Sequence, residues 1–259
     1  KDSRYLIFYQ NESQAKSFME KGNFEEAKKV YLQLLEDQYQ NHEIFFNLGC
    51  IELQSNNLLE AISYFERAKI IKLKNHEQTD ILLIQCYGKL KDYSKAREIF
   101  KESFEKYPRS EKLIFTYAEI EKEQNNLQEF IKLYEKGLNI NPNNFRALSN
   151  LGGVYEELKE FPSAIEIYKK AIELAPDISH LKVDYLSCKS FACDWSEEDY
   201  KKEILNSVGV IGQAISPFEL LPLEDNPQNH LIRAKNFFKQ KFLKTSEKLN
   251  FKPKNKIRI

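Results

Sequence analysis

Side chains able to act as nucleophile, base or metal ligand are few and scattered. The four histidines, His42, His76, His180 and His230, lie far apart in sequence with no paired nucleophile or acid. The four cysteines, Cys50, Cys86, Cys188 and Cys193, form no CxxC pair and have no histidine at zinc-finger spacing. A structural zinc site is therefore not expected, and the thiols read as reduced groups packed as small apolar residues. Neither a Gly-rich phosphate loop nor an alternating βα pattern for a nucleotide-sugar site is present. By itself the chain is expected to catalyse nothing and to hold no cofactor. What remains is chemistry for holding another chain. The amides of Asn47, Gln85 and Asn150 can both donate and accept, and Lys112 and Arg146 supply positive charge.

The elements that must position those residues are helical. Of the 259 residues, 30% are charged and 42% apolar, with only eight Gly and eight Pro, a mix poor in chain breakers. No apolar run approaches the length of a membrane span. The opening "KDSRYLIFYQ" is unlike a secretory leader, and a cytoplasmic location is expected. Net charge is zero, yet residues 231–259 carry ten Lys/Arg against the single acid Glu247. Those lysines alternate with Phe and Leu at helical spacing, which reads as a solvated helix face; no nucleic-acid or membrane partner is expected.

A rhythm organises most of the chain. Ala27, Ala61, Ala96, Phe130 and Ala164 recur at a near-constant interval of about 34 residues. Four positions after each stands an aromatic: Tyr31, Phe65, Phe100, Tyr134 and Tyr168. Pro108, Pro142 and Pro176 close the last three units at the same interval. Earlier in the units sit small residues, Ala15, Gly49, Ala118 and Gly152, with Ile84 at that place in the third. The pattern resembles the tetratricopeptide repeat, which implies an all-α, right-handed superhelix of paired helices with a concave groove. In each pair the early small residue would let helix A approach helix B, whose Ala and aromatic at i and i+4 share one face. Phe130 and Gly137 read as a large-for-small exchange on one face. Asn11 and Gln14 stand where large apolar residues are usual, giving either a polar terminal cap or the edge of a longer array.

The resemblance implies a groove that binds extended protein segments, and an array that offers a surface for self-association. The groove positions are Ser13, Asn47, Leu82, Thr116 and Asn150, and one class further round Lys16, Cys50, Gln85, Glu119 and Gly153. Lys112 and Arg146 are too scattered for a carboxylate clamp. Asn47 and Asn150 are left either to bond a peptide backbone or to satisfy groups of their own chain.

After Pro176 the rhythm stops. The array is assigned to residues 1–176 (repeats near 8–41, 42–76, 77–110, 111–144 and 145–178), a capping helix to 177–192 and a helical connector to 193–259. Leu181, Tyr185, Leu186 and Cys188 should face the last repeat. Read locally, Ser196 is an N-cap and Trp195 with Tyr200 a hydrophobic staple. Asn226 before Pro227 is a second N-cap. In order, Cys193-Asp194-Trp195, "SPFELLPLEDNP" and terminal "KPKNKIRI" resemble the connector of the protein O-linked N-acetylglucosamine transferases and their SPINDLY-like relatives. That resemblance implies the substrate-recruiting part of a UDP-sugar-dependent glycosyltransferase, with "KIRI" leading into a catalytic half that is not in this chain. A stand-alone scaffold that assembles protein partners is the alternative.

Overall fold

The computed structural model describes residues 2–71 and 76–243. The chain divides into two compact units, Lys1–Ile140 and Asn141–Ile259. In the first, eight helices run in pairs: α1 (Asp2–Glu20) with α2 (Phe24–Glu36), α3 (His42–Gln54) with α4 (Leu58–Ile71), α5 (Glu77–Lys89) with α6 (Tyr93–Lys106), and α7 (Glu111–Glu123) with α8 (Leu127–Ile140). Successive pairs pack in chain order, α2 on α3, α4 on α5, and both α5 and α6 on α7. In the second unit α9 (Phe145–Glu157) packs on α10 (Phe161–Leu174), and α11 (Ser179–Phe191) packs on both. The connector adds α12 (Glu198–Ser207), α13 (Pro227–Phe238) and a π-helical turn, Lys239–Leu243. Among the described residues no helix is long and apolar enough to cross a membrane. The "KIRI" end and most of the basic tail, residues 244–259, lie outside the described residues.

The periodic residues do the packing expected of them. Ala27, Ala61, Ala96, Phe130 and Ala164 are all fully buried, and the five aromatics that follow are buried as well. The small residue of helix A is a steric requirement. A methyl on Gly49 would come within 2.6 Å of the Phe65 ring, and one on Gly152 within 2.8 Å of the Tyr168 ring. The fourth pair corrects one expectation. The space at Gly137 is taken by Phe115, not Phe130: a methyl there would lie 2.3 Å from the Phe115 ring. Phe130 instead stacks on Tyr134, with ring centroids 4.1 Å apart. In the third pair Ile84 is buried, and Gly88 one turn on leaves room for Ile120 of the next pair.

The turns repeat too. Gly22, Asn56, Lys91, Asn125 and Lys159 all have φ near +60 to +76°, and they share the spacing of the buried alanines. At Asn56 its own N–H donates to Leu53 O and the next N–H, of Asn57, to Glu52 O, which satisfies carbonyls that the end of a helix leaves open. Lys91, Asn125 and Lys159 make the same pair of bonds. The residue that follows then starts helix B; Asp92, for example, accepts the Lys95 N–H.

Buried carboxylates join neighbouring pairs: Asp80 of α5 pairs with Lys69 of α4 at 2.5 Å, and a second position, held by Glu52 and Glu121, does so at alternate steps. Glu52 accepts from Asn57 at 2.8 Å and pairs with Lys28 of α2 at 2.7 Å. Glu121 accepts from Asn126 at 2.8 Å and pairs with Arg97 of α6 at 3.3 Å. The intervening pair has Tyr87 at this place, its hydroxyl donating to Glu66 of α4 at 3.1 Å.

Candidate peptide-binding surface

The residues singled out from sequence fall on helix A of their pairs. In the first unit Asn47 and Gln85 are half-buried on α3 and α5, and Lys112 is exposed in the first turn of α7. In the second unit Arg146 and Asn150 are both exposed on α9; the Arg146 guanidinium sits 5.8 Å from the Phe145 ring centroid. Asn47 is partly engaged within the chain. Its amide nitrogen donates to the Tyr31 hydroxyl at 2.9 Å. Burial, the largest influence, pushes the Tyr31 hydroxyl up to about 12, so it stays protonated.

A cleft does open at Asn47, between α1 and α3. It is lined by Lys16, Met19, Glu20, Glu43, Phe46 and Asn47, and its volume is about 320 Å³. Lys16 bridges two carboxylates, bonding Glu43 directly and lying 3.2 Å from Glu12. The Glu43 partner holds the Lys16 ammonium well above its usual range, and the same bond pulls the Glu43 carboxyl down. Glu12 is buried and held by Asn41 at 2.8 Å and Tyr39 at 3.2 Å. The cleft therefore joins apolar surface from Met19 and Phe46 to an acidic rim. Sequence reading placed Asn47 and Lys16 here but missed Met19, Glu20 and Phe46, which become neighbours only when α1 and α3 come side by side.

The Cys193-Asp194-Trp195 segment forms a turn in the second unit. Cys193 is exposed, with φ 54°, so its thiol is not the buried spectator expected. The other three thiols are buried or half-buried, and burial pushes them up to about 11 for Cys50 and Cys86 and about 12 for Cys188. Asp194 accepts the Ser196 N–H at 2.9 Å and pairs with Lys189 at 3.1 Å. These contacts, those of Ser196 first, hold the Asp194 carboxyl down to about 2. Ser196 is not the N-cap. The cap position is Glu197, at φ 62° and with no side-chain cap bond; its carboxylate accepts from Tyr185 and Lys169, and the Ser196 hydroxyl accepts from Lys189 at 2.9 Å. The staple is not made either. Trp195 is 59% exposed under the Lys201 ammonium, and Tyr200 turns edge-on to Tyr185. A small cavity is lined by Tyr185, Lys189, Trp195, Tyr200, Lys201 and Leu223, among others. Asn226, by contrast, caps α13 as expected, accepting from Gln228 and Asn229. Leu181, Tyr185, Leu186 and Cys188 are buried on α11.

Among the described residues no group of three or more His, Cys, Asp or Glu side chains could hold a metal ion. Tetratricopeptide repeats match at residues 13–75, 82–110, 112–144 and 145–178. The human protein O-mannosyl-transferase TMTC1 is 27% identical over 173 residues, covering 62% of this chain and 19% of the relative. Its mouse counterpart is 30% identical over 105 residues, 39% of this chain and 11% of the relative. The chain thus spans at most about a fifth of the length of these relatives. Among solved structures, MamA from Desulfovibrio magneticus RS-1 superposes with TM-score 0.57 at 16% identity, covering 64% of this chain and 94% of that one. TTC0263 of Thermus thermophilus gives 0.55 at 16% identity, covering 70% and 98%. YrrB, described as a tetratricopeptide protein with an unusual peptide-binding site, gives 0.52 at 19%, covering 70% and 90%. At such identities these likenesses speak to the fold alone. The chain is thus built on tetratricopeptide repeats, and its fold is the all-α one that those repeats make.

Proposed function

We propose that this chain binds extended protein segments on its helix A faces and acts as a recruiting module rather than a catalyst. The observation that carries this reading is the α1–α3 cleft, where an amide, apolar side chains and charged groups share one exposed surface. Asn47 spends one amide hydrogen on Tyr31, and its oxygen is the group to accept a peptide N–H. Asn150 and Arg146, with Gln85 and Lys112, extend the same chemistry over other helix A faces. Self-association through the array is a separate expectation, read by sedimentation at rising concentration. An array of unbiased heptapeptides probed with the full chain tests the main reading. Capture of a subset, weakened by Asn47→Ala or by Asn150→Ala, is expected; a blank array would end it.

A second reading makes the module the acceptor-recruiting part of a protein O-glycosyltransferase. The 173-residue match to a protein O-mannosyl-transferase supports it, as does the connector resemblance. That resemblance adds a UDP-sugar donor and an N-acetylglucosaminyl or fucosyl product, whereas the matched relatives carry the mannosyl name. Glycosyl transfer to acceptors that first bind the array is expected from the native polypeptide. An acceptor modified equally well without residues 1–176 would remove the recruiting role and leave the scaffold reading.

A further inference from the structure

We infer that the α1–α3 cleft selects peptides in which an apolar side chain stands next to a lysine or arginine. This rests on the peptide-binding reading and adds the chemistry of the ligand. The apolar half comes from Met19 and Phe46, both half-buried. Met adapts its shape to an incoming side chain, and the Phe46 ring is steadied by His42 at 5.9 Å and Phe65 at 5.9 Å.

The basic half follows from charge. The charged side chains lining the cleft are one cation, Lys16, and two carboxylates, Glu20 and Glu43, with the buried Glu12 behind Lys16. Lys16 is committed to Glu12 and Glu43, so it is not available to an acidic ligand. Glu20 is exposed and has no ion-pair partner among the described residues. It is also the last residue of α1, whose final turn carries no basic side chain. The turn caps the Ser17, Phe18 and Met19 carbonyls, but the aligned peptide dipoles still leave partial negative charge at the helix C-terminus, which adds to the Glu20 carboxylate and favours a cation there. Lys21 follows in the turn and does not line the cleft. An acidic side chain brought to this place meets like charge on both sides. A lysine or arginine replaces bulk water with a carboxylate and a helix end, while its apolar neighbour covers Phe46.

The test uses the full chain and fluorescein-labelled heptapeptides Ser-Gly-Leu-Xaa-Leu-Gly-Ser, with Xaa as Arg, Lys, Ser or Glu, read by anisotropy. The Arg and Lys peptides should bind at least about tenfold more tightly than the Glu peptide, with a preference that shrinks as salt rises. Glu20→Lys should remove or invert the preference. Because Glu20 is exposed, its melting curve should match that of the parent chain. Phe46→Ala should weaken all four peptides alike. Equal binding of Arg and Glu peptides, a preference that survives Glu20→Lys, or no binding by any of the four overturns the inference. The broader reading falls only if the unbiased heptapeptide array is blank as well.

Discussion

The second helix pair and the connector are held together in opposite ways. Between α3 and α4 the contact is apolar and shape-based: Phe65 lies against the bare Cα of Gly49, and Ala61 is buried beside it. Between α12 and α13 the contact centres on Arg233, which is fully buried. Its Nε donates to Val208 O at 2.9 Å, its other nitrogens reach Leu205 O and Glu224, and Asn236 adds bonds to Gly209 O and Val210 O. The first kind of contact can be copied once per helix pair, because it needs only a small residue facing a large one. The second is made once and depends on one forked side chain. A periodic stretch can drift in sequence while keeping its packing, whereas an irregular stretch concentrates its specificity in a polar hub.

The largest effect should come from breaking the hub. Arg233→Ala strands Glu224 and two carbonyls, and should destabilise the α12–α13 region by about 3–5 kcal/mol. Hydrogen exchange across residues 198–238 reads this locally, and Arg233→Lys should recover only part because it cannot fork. Unchanged protection would show that the hub is dispensable. The apolar contact should cost less to disturb. Gly152→Ala places a methyl against the Tyr168 ring, for a loss of about 1–3 kcal/mol. Gly153→Ala next to it meets nothing nearer than the Tyr168 hydroxyl at 3.7 Å, and should gain about 0.5–1 kcal/mol from helix propensity. Equal melting temperatures for the two variants would remove close approach as the reason for the small residue.

A third change probes a half-buried acid. Burial, helped by Glu156 and Glu219, pushes Asp184 on α11 up from 3.8 to about 7. The folded state therefore holds a proton that the unfolded state has already lost, and the chain loses stability as pH rises from about 4 to 7. Asp184→Asn should be about 1–2 kcal/mol more stable than the parent at pH 8, after allowing for solvent screening, and equal to it below pH 4. A constant difference across that window would place the effect elsewhere. The smallest change is at a turn: Lys159 at φ 61° replaced by Gly should gain up to about 1 kcal/mol in urea melts.

The helix pairs were legible because their signal is local and repeated: Ala27 and Tyr31 announce a face without reference to any partner. Asn226 before Pro227 was legible for the same reason. What escaped depends on partners distant in sequence. Phe115, on the preceding helix, took the space at Gly137. Lys189 took the Ser196 hydroxyl that local rules give to a helix cap. Tyr31 took half of the Asn47 amide. The cleft had the same fate, since Glu20 and Glu43 gain meaning as a pair only once two helices lie side by side.

Glu52 and Glu121 stand two repeats apart, and their partners Lys28 and Arg97 are separated by the same interval. The smallest block that restores this ion pair is therefore two hairpins long, although the apolar pattern repeats with each one. Excising a double block would bring Lys28 opposite Glu121 and leave the ion pair whole. Excising a single block would set Lys28 against Tyr87, a cation without its carboxylate. For this one ion pair, gain or loss of two hairpins is thus expected to be tolerated better than gain or loss of one.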